Sequence, residues 1–327
     1  MDYLYRKRVA NSTAFLLPVI FAIVLANLAD ALRKPHTVIE AELWPIDRLQ
    51  QFVDLITAQS VEAHFEAHGY AWFPQKGGSV PPIAIARMPR DLAEIGDTRK
   101  KKDLFFRALL PIVLAENRNI RYQRRYAREL LAKGADRLDL AERVWLDQLT
   151  RWYGVTGDLS KPERAALLLR RVDEIPVPLV LAQAANESAW GTSRFAQEAN
   201  NLFGQWTFDD NQGLVPLGRG ENENHSVRMF KDVRESVRAY MRNLNTHRAY
   251  ASLRRERENI RRQRLPVDVY ALAGGLRNYS QRGIDYVSEI RAMIRSNELE
   301  QLLYVDLSIS ADATIPLVAV KAVSTSG

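Results

Sequence analysis

The stretch Leu181-Ala182-Gln183-Ala184-Ala185-Asn186-Glu187-Ser188-Ala189-Trp190-Gly191 constrains this chain more than any other. It is a run of small and apolar residues that carries one carboxylate near its end. Pro176 and Pro178 suit the first turn of a helix, and Gly191 suits its stop. At 3.6 residues per turn, Val180, Ala184 and Glu187 share one face, so the acid points where the apolar face points. Burial disfavours the charged carboxylate, and the negative end of the helix dipole disfavours it further. A carboxyl kept protonated near neutral pH is what a glycosidase needs to protonate a leaving oxygen. The plain alternative is a helix-terminal Glu in solvent, the commoner fate of a charged residue.

The next residues shift that balance. Thr192-Ser193-Arg194 restarts a helix behind a hydroxyl cap. Asn200-Asn201-Leu202-Phe203-Gly204-Gln205-Trp206 then reads as a loop that carries two large aromatic rings. Amide side chains beside aromatic faces suit a sugar, whose hydroxyl and acetamido groups seek hydrogen bonds while its ring C–H faces seek flat apolar surface. Phe203 also fits a second role, as a plug for the core.

The combination Ala-Gln-Ala-Ala-x-Glu-Ser-x-Trp-Gly followed by Asn-Asn-Leu-Phe-Gly resembles the bacterial peptidoglycan glucosaminidase domain, glycoside hydrolase family 73, in its Bax-type branch. Further similarity lies in Arg171 to Pro176, Glu235 to Met241, Asn243 to Tyr250, Tyr279-Ser280 and Tyr286-Val287. It spans roughly residues 100–300, in order, which makes it far more specific than one short motif. The resemblance implies an α+β, mainly α, lysozyme-like catalytic domain with a small β-hairpin lip. It also implies hydrolysis of the β-1,4 bond between N-acetylglucosamine and N-acetylmuramic acid, with Glu187 as general acid and no metal or organic cofactor.

The other catalytic positions follow from the same resemblance. Tyr279 faces the acid across the cleft, and Glu223, or its neighbour Glu221, is the candidate second acid on the hairpin. Asn186, Trp190, Asn201, Phe203, Trp206 and Tyr286 are the expected substrate contacts. The second catalytic group stays open between a hairpin carboxylate and the substrate's own acetamido group. Rival readings are a lytic transglycosylase, a cell-wall amidase and a wall-binding protein without activity. Arg194 and Arg282 are placed to meet peptide-stem carboxylates.

Cysteine is absent from the 327 residues, which excludes disulfides, thiolate metal sites and Cys nucleophiles. The net charge of +7 calls for an acidic neighbour: nucleic acid, anionic lipid or wall polymer. The N-terminus narrows the choice. Arg6-Lys7-Arg8, the apolar run Thr13 to Leu28 and Ala29-Asp30-Ala31 read as a secretory signal or an uncleaved anchor over residues 1–31. The expected location is therefore the periplasm or cell envelope. The expected partner is the glycan strand, not nucleic acid, with inner-membrane association through the N-terminus.

The remaining chain divides into an accessory segment 32–98, the glucosaminidase domain 99–300 and a tail 301–327. Leu49, Phe52, Val53 and Ile56 have helical spacing within Ile46 to His64. His64 and His68 stand four apart but lack a third metal ligand in the pattern. Arg99 to Lys102 reads as a solvated helix start. Helical patterns follow over Leu104 to Val113, Ile120 to Leu131 and Leu140 to Tyr153. Ser160 and Glu163 form a capping box. Ser226 to Phe230 alternates as a strand, and a helix capped by Asp232 buries Tyr240.

Overall fold

The structure, a computed structural model, describes residues 37–209, 211, 213–216, 226–309 and 320–324. The signal or anchor expected over residues 1–31 lies outside the described residues. Two compact units are separable. In the smaller, β1 (Thr37–Ala41) pairs antiparallel with β9 (Val320–Ser324), Thr37 opposite Ser324. The larger unit, Glu42–Ala319, holds everything else described below.

Its helices are α1 (Ala58–Ala67), α2 (Thr98–Lys133), α3 (Leu140–Trp152), α4 (Pro162–Arg171), α5 (Val177–Glu187), α6 (Arg194–Ala199), α7 (Val233–Thr246), α8 (Ala251–Gln263), α9 (Val269–Ala273) and α10 (Ile284–Ser296). Its strands are two or three residues long: β2 (Gln51–Val53), β3 (Ser79–Val80), β4 (Ile83–Ile85), β5 (Trp206–Thr207), β6 (Gly213–Leu214), β7 (Ser226–Arg228) and β8 (Asp306–Leu307). The class is the mainly helical α+β expected from the sequence. Among the described residues no helix is long and apolar enough to cross a membrane.

The spine is α2, 36 residues and about 54 Å long at 1.5 Å per residue. Asp97 caps it, accepting from the Arg99 and Lys100 amides, so Arg99 to Lys102 is a helix start as expected. The patterns at Leu104 to Val113 and Ile120 to Leu131 belong to this one helix, which runs through Pro111. Its middle is buried on most sides, including polar Glu116, Asn117, Asn119 and Gln123. These are satisfied by long-range partners: Asn117 exchanges two hydrogen bonds with the Ile175 backbone, and Gln123 donates to Leu43 O. Residues 42–97 pack in the same unit as α2, with β4 lying against it.

Two local expectations are corrected. The helical spacing at Leu49 to Ile56 does not produce a helix there: Pro45–Leu49 is one 3-10 turn and Gln51–Val53 pairs in parallel with Ile83–Ile85. Phe52 and Ile56 consequently stay exposed, at 45% and 54%. The Ser160–Glu163 capping box does not form, because the Ser160 amide and hydroxyl both bond Asp158 and the cap position of α4 falls on Lys161, which makes no side-chain cap.

Other expectations hold. Asp232 caps α7 by accepting from the Glu235 amide at 2.8 Å, and Tyr240 is fully buried. The expected lip is a three-stranded antiparallel sheet, β5-β7-β6, with Trp206 opposite Val227 and Gly213 opposite Arg228.

Candidate active site

The helix that carries Glu187 is enclosed along nearly its whole length. Every residue of α5 from Val177 to Ala185 is buried, against α2, α10 and the turn Leu299–Tyr304. Small side chains permit that close approach, and Pro178 in the first turn loses no amide the helix needs. The helix stops three residues earlier than the Gly191 signal suggests. Ala189, Trp190 and Gly191 have φ of 49°, 61° and 78°, three left-handed residues in succession. The Ser188 hydroxyl holds the turn, donating to Ala184 O at 2.6 Å and accepting from the Gly191 amide at 2.7 Å.

This turn throws Trp190 onto the spine. Its ring lies 5.8 Å from Phe105 and 5.2 Å from Phe106, edge-on, with Lys102 over its face at 4.7 Å. Trp190, expected to contact substrate, therefore packs the helix end onto α2. Ser193 caps α6 as expected, and Asn200 ends it in a left-handed conformation.

Glu187 itself is half-buried at the end of α5. Burial raises its carboxyl above the ordinary glutamate range. Hydrogen bonds from Tyr286 and Asn186 and the charge of Arg282 oppose that, while Glu289 adds to it. Asn186 Nδ2 donates to Oε1 at 3.4 Å, so this residue does reach the acid. The carboxylate charge acts on four tyrosines, Tyr240, Tyr250, Tyr279 and Tyr286. The rings pack on one another: Tyr279 stacks on Tyr286 with centroids 5.5 Å apart, and Tyr240 stacks on Phe203 at 3.9 Å.

Beneath the acid, the fully buried Gln183 donates from Nε2 to the Tyr286 hydroxyl at 2.8 Å and accepts from the Tyr240 hydroxyl. Gln183 was not singled out by sequence reading. Its signal was there: it stands four residues before Glu187, on the same helix face, a polar residue in a run of small apolar ones.

A cleft of about 540 Å³ opens beside this group, lined by Trp206, Phe203, Tyr250, Tyr279, Trp152 and Arg242. Tyr279 is common to the cleft wall and the ring around Glu187. Its hydroxyl donates to Phe203 O at 2.9 Å, which ties the loop between α9 and α10 to the loop after α6. Trp206, on the edge strand β5 and 59% exposed, lines the cleft. A separate cavity of about 360 Å³ lies at the other end of α5, by Ile175 and Val177; ten residues of helix, about 15 Å, separate it from the acid.

Three further expected substrate contacts are buried. Asn201 is 1% exposed and spends its amide on the backbone: Nδ2 donates to Gln205 O and Arg228 O, and Oδ1 accepts from the Phe203 and Gln205 amides. It shapes the loop. Phe203, 2% exposed, stacks on Tyr240 and plugs the core at the cleft wall. Tyr286 is fully buried and acts on Glu187 from beneath. Glu221 and Glu223 lie outside the described residues.

Comparison with known proteins agrees with this geometry. The family model for glucosaminidase, mannosyl-glycoprotein endo-beta-N-acetylglucosaminidase, matches residues 163–299. The chain is 34% identical over 210 residues to Protein bax of Escherichia coli strain K12, covering 64% of this chain and 74% of that protein. The chain belongs to the Bax-type glucosaminidase family. No solved structure matches it. The matched glucosaminidase region begins in α4 and ends after α10, so it contains the whole acid-and-tyrosine cluster and leaves the spine α2 outside.

Proposed function

We propose that this protein is a peptidoglycan hydrolase of the endo-β-N-acetylglucosaminidase type, with Glu187 as the general acid. The half-buried carboxyl at the end of α5, raised by burial and set among tyrosines of which Tyr250 and Tyr279 also line the neighbouring cleft, is the observation that carries the reading. A glucosaminidase family match supports a wall glycan as substrate. Glu187 would protonate the glycosidic oxygen as the bond breaks, and Trp206 would stack on a sugar face.

For the second catalytic group, Tyr279 supports the substrate-assisted route. Its one proton is committed to Phe203 O, so its oxygen is left to accept, and an acetamido N–H is a suitable donor. The competing route uses Glu223. Export to the periplasm through the N-terminal segment is part of the same proposal, and fractionation that finds the untagged protein in the cytoplasm would refute it.

The test of the reaction is mass spectrometry of purified peptidoglycan after digestion. Reducing N-acetylglucosamine ends are the expected product. Anhydromuramyl ends would replace hydrolysis with transglycosylation, and intact glycan with released peptides would replace it with amidase chemistry.

A further inference from the structure

We infer that Arg242 is a specificity residue of the cleft, set to receive a carboxylate of the peptide stem that wall glycan carries. The inference rests on the reading of the protein as a wall-glycan hydrolase and names the feature of the substrate that the cleft selects. It follows from an account of charge. Four charged side chains line the cleft: Arg228, Glu235, Arg238 and Arg242. Arg238 is spent, donating to both carboxylate oxygens of Asp47, at 2.8 and 2.7 Å, and to Glu116 at 3.0 Å. Arg228 stands 3.8 Å from Glu235 and lies over the Phe230 ring. Arg242 has no carboxylate partner among the described residues.

Arg242 is nonetheless held in place. It lies one turn after Arg238 on α7, and the two repeat one arrangement, a guanidinium over an indole. Arg238 is 4.8 Å from the centre of the Trp44 ring and Arg242 is 4.4 Å from that of Trp152, with the two indoles edge-on at 4.8 Å. Arg242 Nε donates to Trp152 O at 2.7 Å. That carbonyl belongs to the last residue of α3, where a helix leaves its carbonyls without intrahelical partners. Helix capping and stacking therefore account for Nε and the ring contact. They do not account for the two terminal nitrogens, which meet no acceptor among the described residues and belong to an exposed side chain.

A guanidinium fixed at Nε and over an indole presents its terminal nitrogens as a ready pair of donors, the fork that a carboxylate takes bidentately. A neutral glycan offers this cation nothing better than water. The stem of peptidoglycan carries carboxylates, and a strand laid along Tyr250 and Tyr279 holds its stems in the same cleft as Arg242. The two arginines that the sequence set against stem carboxylates are engaged elsewhere. Arg194 pairs with Glu198 at 3.0 Å and Arg282 with Glu289 at 2.8 Å, and neither lines the cleft.

The experiment crosses a change in the protein with a change in the substrate. Wild-type protein and Arg242→Gln, both as the full chain, are assayed on solubilised peptidoglycan and on the same material with its stem carboxylates converted to amides. For wild type, amidation should raise KM roughly 3- to 10-fold, the worth of one partly solvated charged pair, and leave kcat little changed. Arg242→Gln should show the raised KM on the native polymer and no further response to amidation. Added salt should raise the wild-type KM on the native polymer more than that of the variant.

A merely structural arginine would lower activity on both polymers in the same proportion, and that additive result overturns the inference. A wild-type KM indifferent to amidation overturns it as well, whether or not Arg242→Gln folds. The underlying reading fails separately, if wild type cleaves neither polymer or if Glu187→Gln cleaves both as well as wild type does. Charge selection is then read without turnover, as co-sedimentation of Glu187→Gln with the two polymers in insoluble form. Stronger retention on the native polymer supports the role of Arg242 provided that Arg242→Gln abolishes the difference, and equal retention overturns it.

Discussion

The turn that ends the helix carrying Glu187 offers a sharp test, because its cost has two parts that different glycines separate. Gly191 has φ +78°, where an L side chain costs about 1–2 kcal/mol. A Cβ there would also lie 3.1 Å from Phe105, 3.2 Å from Leu92 and 3.2 Å from Met88. All three of those side chains are buried at 1% exposure or less, so none can swing away into solvent. Overpacking of this kind costs about 1–3 kcal/mol. Gly191→Ala should therefore destabilise the protein by about 2–5 kcal/mol in total.

Gly204 has φ +63° with nothing within 4 Å of its missing Cβ. Gly204→Ala pays only the conformational part, about 1–2 kcal/mol. The assay is urea unfolding followed by tryptophan fluorescence, with the midpoint read at constant slope. Equal midpoints for the two variants would refute the steric argument. A Gly191→Ala midpoint like that of the unaltered protein would refute both parts.

Glu187→Gln should fold and lose roughly 100- to 10,000-fold in glycan hydrolysis, measured as release of reducing ends. It should also be the more stable protein at neutral pH: the folded carboxyl is raised above its ordinary 4.5, so ionising it erodes stability as pH rises through the folded value. Thermal melts should show that advantage vanish below about pH 4.5, and an advantage that grows on acidification would contradict the assignment. Tyr279→Phe strands Phe203 O and should cost about 1–3 kcal/mol by chemical denaturation, with a larger loss of kcat than Glu223→Gln; the reverse order of activities would favour a hairpin carboxylate. Trp206→Ala should raise KM by roughly fivefold, the worth of a stacking contact near 1 kcal/mol, while shifting the unfolding midpoint little; an unchanged KM would remove Trp206 from the cleft's binding surface.

How much of this was readable in the chain varied with how local the signal was. The helix around Glu187, the Ser193 and Asp232 caps and the buried Tyr240 all follow from spacing within a turn or two. Leu49, Phe52 and Val53 misled because their apolar spacing is resolved by Ile83–Ile85, thirty residues away, and periodicity cannot see a strand partner. Ser160 misled because Asp158, two residues back, competes for its hydroxyl.

At the site, aromatic and amide residues near the acid were expected to meet sugar. Composition does not tell which way a ring faces, and Phe203 and Asn201 turned inward because the Tyr240 ring and the loop's own amides needed them. The tyrosine ring around Glu187 joins positions 240, 250, 279 and 286, and only the packing of α10 on α5 and of α7 on α2 and α4 brings them together.

The spine bears on how portable the chemistry is. A fragment trimmed to residues 163–299 would keep the acid, its glutamine and all four tyrosines. It would lose α2, whose Asn117 clasps Ile175 just ahead of α5 and whose Phe105 and Phe106 receive Trp190. The helix carrying Glu187 would then present buried Val and Leu side chains to water along one whole side. Glu187 thus lies on one stretch of chain and is held in place by another. A graft or a minimal enzyme cut from this protein has to begin no later than Asp97, the cap of the long helix.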